Sequence, residues 1–181
     1  MKQVVLVTGG SSGIGFETSL LFAEKGYYVI SVGRNEEKLK NLERFSLERD
    51  LSLEIIKLDV TDENSLRFLF KKISDSFGGM NVLVNNAGFG LVGPLEDLSM
   101  DEIKSQFETN FFSAARIIQL SIPLMRRVGN GKIINVSSIA GRIGFPLTSA
   151  YVSSKFALEG LSESIRYELK SFGIDVVLIE P

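Results

Sequence analysis

The sequence predicts an α/β fold: a doubly wound parallel sheet of six strands, formed by one domain over residues 1–181. Three observations predict it. Short β-branched runs alternate with longer stretches of helical character. The strand runs are continuously apolar, as in a parallel sheet covered on both faces. No Gly/Ser linker, low-complexity segment or repeat interrupts a chain of 181 residues, a length that suits one domain with a real core.

The elements follow in order. Residues 3–9, QVVLVTG, read as the first strand, and residues 15–26 as a helix closed by Gly26. Residues 27–33 form the second strand, and residues 35–49 a helix with Asn35 as its N-cap. A third strand spans 52–60. The helix after it spans 61–79, with Thr61 expected as N-cap and Gly78 as the stop. Residues 81–88 give the fourth strand, and Met100 to Arg127 one long helix. Residues 131–138, 149–173 and 174–181 give the fifth strand, the last helix and the sixth strand.

Composition excludes several classes. Apolar residues make up 44% and charged residues 23%, the balance of a soluble globular protein. Net charge is -2 with no long run of one sign, so nothing points to nucleic acid or an anionic membrane. With neither cysteine nor histidine, disulfides and thiolate or imidazole metal sites are excluded, and no metal is expected. The apolar run at the N-terminus is too short for a signal peptide. The charge-free stretch Ser76 to Leu95 is broken by glycines, asparagines and Pro94, unlike a membrane span. The expected compartment is the reducing cytoplasm.

The run VTGGSSGIGFE closes the first strand and opens the first helix. Its Gly9, Gly13 and Gly15 let the backbone turn tightly and approach a pyrophosphate, whose charge sits well on a helix N-terminus. Ser12 adds a hydroxyl. A glycine turn without a ligand is the plain alternative, but the strand–loop–helix setting favours a dinucleotide. The spacing T-G-x-x-x-G-I-G resembles the short-chain dehydrogenase/reductase family, whose fold is Rossmann-like. That resemblance implies cofactor contacts from Gly9, Ser11, Ser12, Gly13, Ile14 and Gly15.

The cofactor's identity turns on the second strand, which ends ISVGRNEE. An acid there would hold the ribose hydroxyls of NAD. Here Gly33 stands in that place and Arg34 follows. A 2′-phosphate needs a cation and is repelled by a carboxylate, so NADP is expected over NAD. Arg34 is otherwise a solvated residue ahead of a helix. A second basic residue in the glycine loop is absent, since Ser11 and Ser12 stand there. The resemblance further assigns Asp59 and Val60 to the adenine ring, and Asn86, Ala87 and Gly88 to the adenosine and ribose path. Taken alone, Asp59 reads as a turn residue and the asparagine pair as a strand-ending turn.

Acid–base chemistry without histidine rests on Tyr151 and Lys155 in SAYVSSKFALEG. Four residues apart on a helix, they are neighbours on one face. Ala157, Leu161 and Ile165 form the expected core stripe, which puts the pair off the core. Taken alone, the pair reads as surface residues. Ser138 ends the fifth strand, and Asn110 stands inside the long helix, where asparagine is a poor choice unless it has a job or faces solvent. Together Asn110, Ser138, Tyr151 and Lys155 resemble the family's active site in type, order and spacing. The implied reaction interconverts an alcohol and a ketone or aldehyde, with Tyr151 as general acid/base. A phenol ionises near pH ~10, and an adjacent ammonium stabilises the phenolate. Ser138 binds the substrate oxygen. By the same resemblance Tyr151 and Lys155 also contact the cofactor, Lys155 at the nicotinamide ribose, and Asn110 holds a water.

The resemblance sets further expectations. Family members continue past a segment like IEP with a substrate-covering loop, another helix and a seventh strand, so the chain is expected to be a truncated member. Phe89, Leu91, Ile143, Phe145 and Leu147 follow the relevant strand ends and suit either an apolar substrate or ordinary core. The stretches GPLEDLSMDEI and YVSSKFALEGLSESIRYEL look closest to steroid and retinol dehydrogenase-like members. A homodimer or homotetramer is implied. The alternatives are a non-catalytic NAD(P)-binding sensor or scaffold, against which all four catalytic residue types argue, and a nucleotide-sugar epimerase or dehydratase, whose glycine spacing differs.

Overall fold

The computed structural model describes residues 3–181. Six strands form one sheet in the order β3-β2-β1-β4-β5-β6, every pair parallel. They are β1 (Val4–Thr8), β2 (Tyr28–Gly33), β3 (Leu53–Lys57), β4 (Val82–Asn85), β5 (Gly131–Val136) and β6 (Ile174–Ile179). The expected doubly wound α/β sheet is the observed one. β1 lies mid-sheet and is buried at every position, which is why its sequence is apolar throughout rather than alternating.

Helices cover both faces. On one lie α1 (Gly13–Glu24) and α2 (Glu36–Glu48), joined by an edge-to-face contact of Phe16 and Phe45 at 5.7 Å. On the other lie α3 (Glu63–Phe77), α5 (Ser113–Val128) and α6 (Ser149–Leu169). Leu6, Ile30, Leu83 and Ile133, one from each of four neighbouring strands, pack there with Leu69, Ile73, Ile117 and Met125. Each such side chain contributes about 1.5–3 kcal/mol by leaving water. Val5, Val7, Val29 and Val84 point to the opposite face with Ala23 of α1.

Local signals set most boundaries. Asn35 caps α2, its side chain accepting from the Lys38 amide at 2.9 Å. Gly78 ends α3 in the left-handed region, at φ 73°. Two expectations fail. The cap of α3 is Asp62, which accepts from the Asn64 amide at 3.1 Å, because the Thr61 amide and hydroxyl are both turned back onto Asp59. The long helix is also interrupted: α4 (Met100–Phe107) passes into a π-helical turn over Glu108–Phe112 before α5 begins.

From β1 the chain winds outward to β3, then crosses back to β4 on the other side of β1. The loops after β1 and β4 therefore diverge, and a crevice opens between them at the carboxyl ends of the strands.

Candidate active site

Two loops build the crevice, and hydrogen bonds lock them together. The Thr8 hydroxyl accepts from the amides of Asn86 and Ala87, each at 3.0 Å. The Asn86 side chain donates to the carbonyls of Thr8 and Gly9, each at 3.1 Å. The glycines answer two different needs. A Cβ on Gly15 would lie 2.4 Å from the Gly9 carbonyl oxygen, so this glycine is required by backbone packing. Gly13 has φ +54° and nothing within 4 Å of where a Cβ would stand. Its need is conformational, and the space beside it is open. Ser12 precedes α1 in extended conformation without a side-chain cap bond, which leaves its hydroxyl for a ligand.

The resulting cleft has a volume of about 470 Å³, within the range of small-molecule and cofactor sites. Gly9, Ser11, Ser12, Ile14, Arg34, Asp59, Val60, Asn86, Ala87 and Gly88 all line it. Gly13 and Gly15 support it from the loop. Two cations, Arg34 and Lys38, are among the residues that line it. Among the described residues neither has a carboxylate partner, whereas nearby Lys57 and Lys40 both reach Glu36, at 2.9 and 3.4 Å. Sequence reasoning missed Lys38. The signal was its place four residues after Arg34, in the first turn of a helix. Asp59 does both things expected of it: it lines the cleft and holds the turn to Thr61.

None of the four catalytic candidates lines this cleft; Asn110 is joined to it through Phe89, one of its lining residues. Lys155 corrects the sequence expectation. It lies on the buried face of α6 with Ala150, Ser154, Leu158, Ser162, Ile165 and Leu169, while Ala157 and Leu161 are only half-buried. The buried face is wider than one apolar stripe because α6 packs against β6, the π turn and α4 as well as the turn after β5. Lys155 is 6% exposed, and its Nζ donates to the Val136 carbonyl at 2.8 Å, two residues before Ser138. Burial pushes its pKa down to about 8, against an opposing pull from Glu159. The Tyr151 ring is half-exposed, its centroid 5.7 Å from Lys155 Nζ. Ser138 accepts from the Ala140 amide at 3.2 Å, so its hydroxyl proton remains free to donate outward.

Asn110 is 2% exposed, which removes solvent as the reason for an asparagine in that helix. It lies in the π turn, and its side chain clips two segments together. Oδ1 accepts from the Phe89 amide at 3.0 Å. Nδ2 donates to the Phe89 carbonyl at 2.9 Å and to Ser154 Oγ at 3.1 Å. The same loop is held by the buried Gln106, through the Phe89 carbonyl at 2.6 Å and the Leu91 amide at 2.7 Å. Gly88 must be small here, since a Cβ would meet Asn110 Oδ1 at 3.1 Å.

The family model of the short chain dehydrogenases matches residues 3–181. The chain belongs to this family. It is 44% identical over 182 residues to YusZ, an uncharacterized oxidoreductase of Bacillus subtilis (strain 168), covering 99% of this chain and 64% of the relative. It is 40% identical over 183 residues to retinol dehydrogenase 8 of Homo sapiens, covering 99% and 58%. Among solved structures, a metagenomic short-chain oxidoreductase in complex with NADP superimposes with a TM-score of 0.94, at 31% identity over 99% of this chain and 81% of that one. The chain thus spans less than two thirds of the length of the curated relatives named.

In this member of the family the residues lining the cleft were legible in sequence and the supports behind them were not. Gln106 and Ser154 carry no motif, and Thr8 enters only as the first residue of the glycine motif, yet the three fix the segments that bear Asn86, Phe89 and Asn110. Ile143, Phe145 and Leu147 are 49%, 42% and 55% exposed, which rules out the ordinary-core reading for these three. Among the described residues no helix is long and apolar enough to cross a membrane.

Proposed function

We propose that the protein is an NADP-dependent oxidoreductase that interconverts an alcohol and a ketone or aldehyde on an apolar small molecule. One observation carries the reading. A buried lysine sits beside a half-exposed tyrosine, and the cleft at the carboxyl ends of the strands is lined by two cations that, among the described residues, have no carboxylate partner. The cleft's glycine loop, open flank at Gly13 and paired cations fit a phosphorylated dinucleotide. Arg34 and Lys38 would hold the 2′-phosphate, with Lys38 supplying the second cation that the glycine loop lacks. A bound nicotinamide cofactor supplies or accepts the hydride. Tyr151 delivers the proton to the carbonyl oxygen in reduction and removes it in oxidation. Lys155 as ammonium favours the phenolate form and would hold the cofactor's ribose. Ser138 donates to the substrate oxygen and stabilises its developing charge. Asn110, its amide engaged with Phe89 and Ser154, would hold a water through its remaining acceptors. The exposed Ile143, Phe145 and Leu147 support an apolar substrate, as does similarity to a retinol dehydrogenase. The reading includes a cytoplasmic homodimer or homotetramer.

The test has two arms. Fluorescence titration should show NADPH binding at least tenfold tighter than NADH, ~1.4 kcal/mol, with the preference lost in the Arg34→Ala, Lys38→Ala double variant. Tyr151→Phe should bind NADPH as the unaltered protein does and lose turnover. Equal binding of both cofactors overturns the NADP assignment, and undiminished turnover in Tyr151→Phe overturns the mechanism.

A further inference from the structure

Four residues beyond Ser138 stands Arg142, which the mechanism above leaves unused. Its guanidinium is shared among three carboxylates. Nη2 lies 3.1 Å from Glu159 Oε2 and 3.0 Å from Glu180 Oε1, and Nη1 lies 3.3 Å from Glu163 Oε1. Nε donates to Glu180 at 3.1 Å. Glu159 and Glu163 are successive turns of α6, and Glu180 follows β6. One cation therefore joins the turn that bears Ser138 to the helix that bears Tyr151 and Lys155.

Glu159 is the unusual partner. Its side chain is 5% exposed, a depth at which carboxylates are rare unless paired. Among the described residues neither of its oxygens receives a hydrogen bond. The Arg142 guanidinium is near enough for an ion pair but is not aligned to donate. Gly141 makes the room: a Cβ there would lie 2.8 Å from Glu159 Cγ and 3.0 Å from its Oε1. The φ of Gly141 is not in the left-handed region, so space is what this glycine provides. Glu159 is also four residues after Lys155, hence its neighbour along the same helical face.

We propose that Glu159, held by Arg142, is a positioning residue whose charge keeps the buried Lys155 side chain an ammonium beside Tyr151. The proposal rests on the reading of Lys155 given above. Desolvation opposes the ammonium, and Glu159 is the charge that acts against it. The other groups around Lys155 are Tyr151 on its own helix and the Val136 carbonyl of β5. Ser138 follows that strand, the π turn contributes the neutral Asn110, and Arg142 stands behind Glu159.

The deciding measurement is the titration midpoint of Lys155, followed by 13Cε NMR in the full chain and assigned with Lys155→Arg. In Glu159→Gln the midpoint should fall by about one pH unit, a tenfold change in proton affinity. Glu159→Ala removes the same charge without burying an amide and serves if the glutamine variant does not fold. Glu159→Asp should retain most of the unaltered midpoint. The alkaline limb of kcat should move down with the midpoint, while the KM for substrate stays nearly constant. A midpoint unchanged in the folded variants overturns the proposal, and a shifted midpoint with an unmoved kcat limb overturns its link to catalysis. If the unaltered protein turns nothing over, the functional reading fails, and the NMR midpoint still decides whether Glu159 sets the charge on Lys155.

Discussion

Lys155 holds a charge on a helix face that water scarcely reaches. Burial favours its neutral form, so the pKa drops from 10.5 to about 8. Between about pH 8 and 10.5 the unfolded chain then binds more protons than the folded one. Stability should therefore rise with pH across that window, because the cost of the buried ammonium disappears as the group deprotonates. The full effect is roughly 3 kcal/mol. Urea melts of the unaltered protein and Lys155→Met at pH 7.5 and 10.5 isolate it. The stability difference should shift by ~2–3 kcal/mol toward the unaltered protein at the higher pH. A pH-independent difference would show that the lysine's charge is not paid for by the fold. On the proposed function, Lys155 would then serve catalysis at a cost to stability.

The π turn between α4 and α5 presents one side chain that ties two other segments to it. A π-helical turn is rare and concentrates at functional sites. Here it contains Asn110, whose amide satisfies both backbone groups of Phe89 and also reaches Ser154. Asn110→Ala removes all three bonds. The Phe89 carbonyl keeps its bond from Gln106, but among the described residues no second acceptor replaces the one lost by the Phe89 amide. An unsatisfied buried amide costs about 1–3 kcal/mol. The variant should lose ~2 kcal/mol of stability in urea and exchange the amides of residues 89–91 roughly tenfold faster, read by hydrogen exchange mass spectrometry. Unchanged exchange would mean that Gln106 alone fixes the loop.

Across the molecule, sheet order does the positioning. Placing β4 beside β1 brings Asn86 to the glycine loop, although 77 residues separate Asn86 from Gly9 along the chain. The helices on one face then leave large apolar side chains in water: Phe112, Phe156 and Tyr167 are 52%, 45% and 82% exposed. Such exposure favours association through these helices. Light scattering behind size exclusion should give two or four times the 20.0 kDa chain mass. The Phe156→Asp, Tyr167→Asp double variant should give the chain mass itself. A monomer in the unaltered protein would overturn the oligomer expectation.

Much of this protein was readable before folding. Period and composition gave the strands and helices, because a strand buried on both faces must be apolar throughout. Asn35 and Gly78 marked ends, since their local chemistry suffices for a cap or a left-handed stop. The glycine spacing, Arg34, and the set Asn110, Ser138, Tyr151 and Lys155 marked a candidate site, because chemistry restricts the residue types that can serve there. What no sequence rule contained was burial on a polar face and contact across distant segments. The sinking of Lys155 into α6's inner face depends on how that helix packs against the β5 turn and β6. The duty of Asn110 depends on a loop 21 residues away, and the Arg142–Glu159 pair on two elements meeting. Sequence determined which elements form and which chemical groups they carry. Tertiary structure alone decided which of those groups lose their water, because desolvation is a property of the packed neighbours and not of the residue.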